Sequence, residues 1–126
     1  MKSIIQTEKT PAPIGPYSQA VQAGNMLFIS GQIALDPETN QLISGGIKVE
    51  AMQVMKNLEA VLASADFSFE NVVKTTIFLS DMNHFSDVNE VYGSYFKSDF
   101  PARETVAVLG LPKNVNVEIS VIAVKA

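Results

Sequence analysis

The segment from Val115 to Val124 constrains the fold of this chain more than any other. It is rich in β-branched residues, which favour a strand. Side chains alternate across a strand, so Val117, Ile119, Val121 and Ala123 share one face. Ile122 and Val124 share the other with Glu118 and Ser120. A strand apolar on both sides belongs inside a sheet whose two faces are both covered. Helices packed on that sheet cover one face only. The second would be a large sticky patch unless it packs against copies of the same chain. The strand therefore predicts a homo-oligomer with sheets inside and helices outside.

The other segments supply elements that fit such a sheet. Within the first 18 residues, Pro11, Pro13, Gly15 and Pro16 impose an extended or turning path. Ala20–Ala23 and Met26–Ser30 read as a hairpin about Gly24-Asn25. Asp36 to Asn40 and Ser44-Gly45-Gly46 carry turn chemistry. From Ile47 to Ala63, Ile47, Ala51, Val54, Met55, Leu58, Val61 and Leu62 recur at helical spacing, with Lys48, Glu50, Lys56 and Glu59 turned to water. Val72–Leu79 reads as a strand. A second helix is predicted from about Phe85 to Ser98, with Asp81 or Asn83 as its cap. Thr105–Leu109 is a further strand, and a turn around Leu111-Pro112-Lys113-Asn114 leads to the last one. This order describes a single α+β domain over residues 1–126, a mixed sheet with both helices on one face.

Composition excludes several chemistries. No cysteine means no disulfide and no thiolate metal site, and the single histidine, His84, argues against a His-based zinc site. The expectation is no metal. Scattered lysines and a net charge of -4 oppose nucleic-acid binding, which needs clustered cations on phosphate. The N-terminus turns polar too soon for a signal peptide and no apolar run is long enough to span a bilayer, so the expected location is cytoplasmic with no membrane partner.

Arg103 is the only arginine among nine basic residues, in Pro101-Ala102-Arg103-Glu104-Thr105. A guanidinium is a planar fork that grips a carboxylate through two parallel hydrogen bonds, which an ammonium cannot do. Glu118 is the one acid in the apolar last strand, where a charge must be paired or hydrogen-bonded. If their strands lie side by side, the two converge on a site for a small anion. The competing readings are a surface or interface salt bridge for Arg103, with Glu118 as one candidate partner, and a solvent-facing place on an edge strand for Glu118. Tyr17 follows the rigid Gly15-Pro16 turn, and Ser30-Gly31 marks either a bulge or a close backbone approach. Asn89 is a polar residue on the second helix, and Gly45-Gly46 lacks the pattern of a phosphate-binding loop.

Along essentially its whole length the sequence resembles the RidA/YjgF family of reactive-intermediate deaminases. The resemblance is carried by Pro101-Ala102-Arg103, Leu111-Pro112-Lys113 and Val117-Glu118-Ile119. Further matching segments are Ala12-Pro13-Ile14-Gly15-Pro16-Tyr17-Ser18-Gln19-Ala20, Phe28-Ile29-Ser30-Gly31-Gln32 and Val88-Asn89-Glu90-Val91-Tyr92. It implies a homotrimeric, chorismate-mutase-like fold with a six-stranded sheet, ligand clefts between subunits and no cofactor. It also implies that Arg103 grips a substrate carboxylate, that Glu118 orients the hydrolytic water, and that Tyr17, Ser30, Gly31, Asn89 and Thr105 line the cleft. Glu104 departs from the small residue usual after the arginine, and strand alternation turns it away from Arg103.

The reaction implied is hydrolysis of 2-imino acids or enamines, released by pyridoxal-phosphate dehydratases, to 2-oxo acids and ammonia. The alternative is a module of amino-acid or purine metabolism that binds a small carboxylate without turning it over. Nuclease or chaperone-like activity is a third possibility, and the acidic surface makes RNA cleavage the least attractive.

Overall fold

In the computed structural model, which describes residues 1–126, the C-terminal strand lies inside a six-stranded sheet. The strands are β1 (Lys2–Ile5), β2 (Ala20–Ala23), β3 (Met26–Gln32), β4 (Val72–Leu79), β5 (Ala102–Ala107) and β6 (Val117–Val124). Two helices, α1 (Ile47–Ser64) and α2 (Phe85–Gly93), interrupt them. The spatial order is β1-β2-β3-β6-β4-β5. β6 runs antiparallel to both β3 and β4, so those two are parallel to each other, and β5 is parallel to β4. Parallel strands need a long crossover, and α1 and α2 are those crossovers.

The sides of β6 behave as the alternation predicts. Val117, Ile119, Val121 and Ala123 are buried, while the residues between them are half-buried. The buried set joins Ala51, Val54, Met55, Leu58, Val61 and Leu62 of α1 and Val88, Val91 and Tyr92 of α2 in one 22-residue core. Truncating a member such as Leu58 to alanine costs about 2–5 kcal/mol. The other side of the sheet carries no helix, and Phe28, Val73 and Val106 are exposed. No helix is long and apolar enough to cross a membrane.

Several elements depart from the expectations. β1, in residues read as an extended or turning path, supplies the sixth strand that the family resemblance implies, paired antiparallel with β2. α2 ends at Gly93 instead of Ser98, because Gly93 and Ser94 are weak helix formers and the Ser94 hydroxyl donates to the Val91 carbonyl at 2.6 Å. Tyr95 and Phe96 still pack on the core, with ring centroids 5.3 and 5.4 Å from that of Phe69. Asp81 caps the 3-10 turn before α2, accepting from the Asn83 amide at 2.8 Å. Glu50 binds the Asn116 side chain at 2.8 Å instead of facing water. β5 begins at Ala102, three residues before the predicted start, in register with β4, and β6 begins at Val117. Most consequentially, β5 and β6 are not neighbours. β4 lies between them, because it pairs with β6 on one side and accepts β5 through the α2 crossover on the other.

Candidate functional site

Glu118 projects from the helix-free face of β6, opposite Phe78 on β4. On its other flank β3 carries a bulge. Ile29 pairs with Val121 and Gln32 with Ile119, so Ser30 and Gly31 together oppose Ser120. The extra residue lets Ile29 and Gln32, three apart, both be buried, at 4% and 7% exposure. It also brings Gly31 against Glu118: a Cβ at this position would lie 2.5 Å from Oε2 of Glu118. Both readings of Ser30-Gly31 therefore hold, since the bulge creates the close approach. The Ser30 hydroxyl donates to the Ser18 carbonyl at 2.6 Å. Tyr17 is 53% exposed, and its hydroxyl accepts the Ile14 amide at 3.4 Å.

Tyr17, Ser30, Gly31 and Glu118 line one groove of about 580 Å³, together with Pro11, Ala12, Ile14 and Lys113. Burial lifts the Glu118 carboxyl above the ordinary carboxylate range.

The groove is held by residues that sequence reasoning passed over. Gln19, 3% exposed, accepts the Thr7 amide at 2.7 Å. Its own amide donates to the carbonyls of Thr7, Thr10 and Pro11 at 3.0, 3.1 and 3.0 Å. Asn57 of α1, 1% exposed, donates to the carbonyls of Ile33 and Leu35 at 3.2 and 3.0 Å. Thr10 donates to the Asn57 carbonyl at 3.0 Å. These amides bind backbone that could not otherwise be buried. A polar Asn57 on the apolar stripe of α1 was the available signal.

Arg103 stands elsewhere. It pairs with Thr75, which pairs with Val121, and both partners are buried beneath the helices. Its guanidinium accordingly reaches the helix side of the edge strand, 5.6 Å from the Phe85 ring centre and 5.1 Å from that of Tyr92. Thr105 follows on the same side, with a buried hydroxyl that has no hydrogen-bond partner. Asn89 is half-buried on α2, four residues after Phe85 and three before Tyr92, so it shares their face. Glu104 points the opposite way, as alternation predicts, and pairs with Lys74 at 2.9 Å.

Arg103 and Glu118 thus lie on opposite sides of the sheet with β4 between them, and within one copy they do not converge. A salt bridge between the two within one copy is excluded by the same geometry, and Arg103 takes part in neither ion pair of the chain. The structure brings four candidates together in the groove and places the other three at the β5–α2 edge. No cluster of three or more His, Cys, Asp or Glu side chains is placed to hold a metal ion.

The family model described as endoribonuclease L-PSP matches residues 7–125. A RutC family protein of Pyrococcus horikoshii is 51% identical over 125 residues, covering 99% of both chains. The human protein named 2-iminobutanoate/2-iminopropanoate deaminase is 49% identical over 125 residues, or 99% of this chain and 91% of that one. Among solved structures, RidA from an Antarctic Psychrobacter superposes with a TM-score of 0.94 at 43% identity, covering 98% of this chain and 99% of that chain. TdcF of E. coli with bound serine superposes with a TM-score of 0.94 at 38% identity and the same coverage. Agreement of sequence and fold over nearly the whole length establishes that the chain belongs to the endoribonuclease L-PSP family, the RidA/YjgF proteins.

Proposed function

We propose that the protein hydrolyses 2-imino acids and their enamine tautomers to 2-oxo acids and ammonia, in clefts between the copies of a homotrimer. The observation that carries this reading is the division of the site. A groove with a half-buried carboxylate and an edge with an aromatic-backed guanidinium are both formed, yet they lie on opposite sides of one sheet. Packing the open face of one copy against the edge of the next joins them, and it also covers Phe28 and Val106. The names of the mammalian relatives support the reaction, and the serine held by TdcF is a small amino acid with the required carboxylate.

In this cleft Arg103 binds the substrate carboxylate through its fork, a charge-assisted contact of about 1.5–3 kcal/mol. The unpartnered Thr105 hydroxyl and the Asn89 amide face the same ligand. Glu118 of the neighbouring copy orients a water over C2 and takes its proton as the carbinolamine forms. Glu118 then returns that proton to the nitrogen, the carbinolamine hydroxyl gives up its own proton as the C2–N bond breaks, the nitrogen leaves as ammonia, and the water oxygen becomes the carbonyl of the 2-oxo acid. A carboxyl raised by burial is a stronger proton acceptor than an ordinary one. Activity accordingly falls at low pH, where this carboxyl is protonated and can no longer accept. Tyr17, Ser30 and Gly31 shape the side of the groove where the imine lies.

The test is decay of 2-iminopropanoate or 2-iminobutanoate generated in situ, with the assembly mass measured by light scattering. Acceleration by a species of three chains is expected. Protein that binds 2-oxo acids without accelerating decay would make it a sensor of small carboxylates, and a monomeric mass would refute the shared cleft. RNA cleavage, the chemistry in the family model's description, is opposed by the net charge of -4, since phosphate backbones need cations.

A further inference from the structure

We propose that Phe85 and Tyr92 are positioning residues for Arg103, holding its guanidinium by their ring faces so that its hydrogen-bond donors stay free for a carboxylate. The consequence for catalysis rests on the function proposed above; the geometry does not.

An arginine inside a fold is usually oriented by an acid, and the acid then occupies the fork. Neither of the two ion pairs in this structure involves Arg103. Two aromatic rings approach it instead, at 5.6 and 5.1 Å. A ring engages the flat face or flank of a guanidinium and leaves in-plane N–H groups available. The rings are themselves held. Tyr92 is 4% exposed, and its hydroxyl donates at 2.8 Å to Thr75, the cross-strand partner of Arg103. Burial raises the Tyr92 phenol above its ordinary pKa, so it remains a neutral donor. Its ring centre is 4.9 Å from that of Phe96, which packs in turn on Phe69 at 5.4 Å. The tyrosine is thus pinned at its hydroxyl by β4 and along its ring by the segment after α2. Both supporting rings come from the crossover helix that delivers the chain to β5. The arginine is buttressed by the element that places its strand.

Arg103 is the only arginine, so the ¹⁵N-labelled full chain gives a single arginine Nε–H signal to report on it. In the wild type that signal should be displaced by ring currents and relax as a rigid group. Tyr92→Phe keeps the ring and should retain both properties. Phe85→Leu and Tyr92→Leu should move the signal toward its free value and make it mobile. In the imine assay the two leucine variants should raise KM about 3- to 10-fold with kcat within about 2-fold, the signature of a binding group that has lost its preorganisation.

A mobile Nε–H in the wild type overturns the proposal, as does an unchanged signal in Phe85→Leu. A leucine variant that loses kcat with KM unchanged also overturns it, because that is general damage. Should Tyr92→Leu fail to fold, Phe85→Leu decides. Wild-type protein that does not hydrolyse imines, yet shows the rigid and ring-dependent signal, removes the proposed reaction and leaves the positioning in place.

Discussion

The two halves of the candidate site are built by different means. On the Glu118 side the backbone does the placing: a bulge in β3 presses Gly31 against the carboxylate, and Gln19 and Asn57 hold the surrounding loops by their main chains. On the Arg103 side the placing is done by side chains, with two rings of α2 behind the guanidinium. A backbone-built half is vulnerable to any added atom at its tightest point. A packed half degrades gradually as rings are trimmed. Because the halves lie on opposite sides of one sheet, neither is a complete site for the proposed reaction, and the proposed cleft takes one half from each of two copies.

The strongest way to break this comparison is to remove one half at a time. Arg103→Ala should lower kcat/KM about 10²- to 10³-fold, the usual loss when a desolvated charge partner is removed. Glu118→Gln should lower kcat about 10²- to 10⁴-fold, the range for a proton acceptor. Co-assembling the two variants in equal amounts should restore activity in about a quarter of the clefts, since each cleft would draw its arginine and its glutamate from different copies. No recovery on mixing would place both residues in one copy's site and break the proposed division.

Gly31→Ala sharpens the account of the backbone-built half. The new Cβ must displace Glu118 from 2.5 Å, and a shift of about 1 Å in a catalytic group can lower kcat by roughly 10²-fold. Binding of a 2-oxo acid through Arg103 should persist, as calorimetry would show, and its loss would mean that the two halves are not separable.

A smaller effect is expected at Gln19→Leu, which leaves the buried Thr10 carbonyl and the half-buried Thr7 and Pro11 carbonyls unpaired. The stability cost should be about 1–3 kcal/mol in urea titrations, with activity falling less than in Gly31→Ala. A neutral outcome would show that the wall of the groove is held by other contacts.

The smallest effect concerns pH. The folded carboxyl of Glu118 is raised by burial, so its contribution to stability is fully present below the unfolded pKa and is lost as pH rises through the folded one. Glu118→Gln should therefore gain stability relative to wild type as pH increases. If Arg103 of a neighbouring copy lies against Glu118 the sign reverses, because the guanidinium lowers the carboxyl, so melting temperatures across pH report on the cleft itself.

Much of the chain is legible from residue order because its signals are local. The two-sided apolarity of β6, the hairpin at Gly24-Asn25, the stripe of α1 and the turn of Glu104 away from Arg103 all follow from the period of a helix or a strand. The arginine and the glutamate were recognisable by scarcity, one cation of its kind and one acid among apolar neighbours. Gln19 was not, and Asn57 showed only as a polar residue on the stripe of α1, because their partners are main-chain atoms 8 to 24 residues away and no periodicity encodes those. The insertion of β4 between β5 and β6 was illegible for the same reason: which strands pair depends on competition among registers across the whole sheet. Sequence by itself determined the sidedness of the regular elements, such as β6 and the stripe of α1, since that is set by backbone geometry at each residue. Only the tertiary structure decided that Arg103 and Glu118 stand on opposite sides of the sheet, because strand order is a global minimum over long-range contacts.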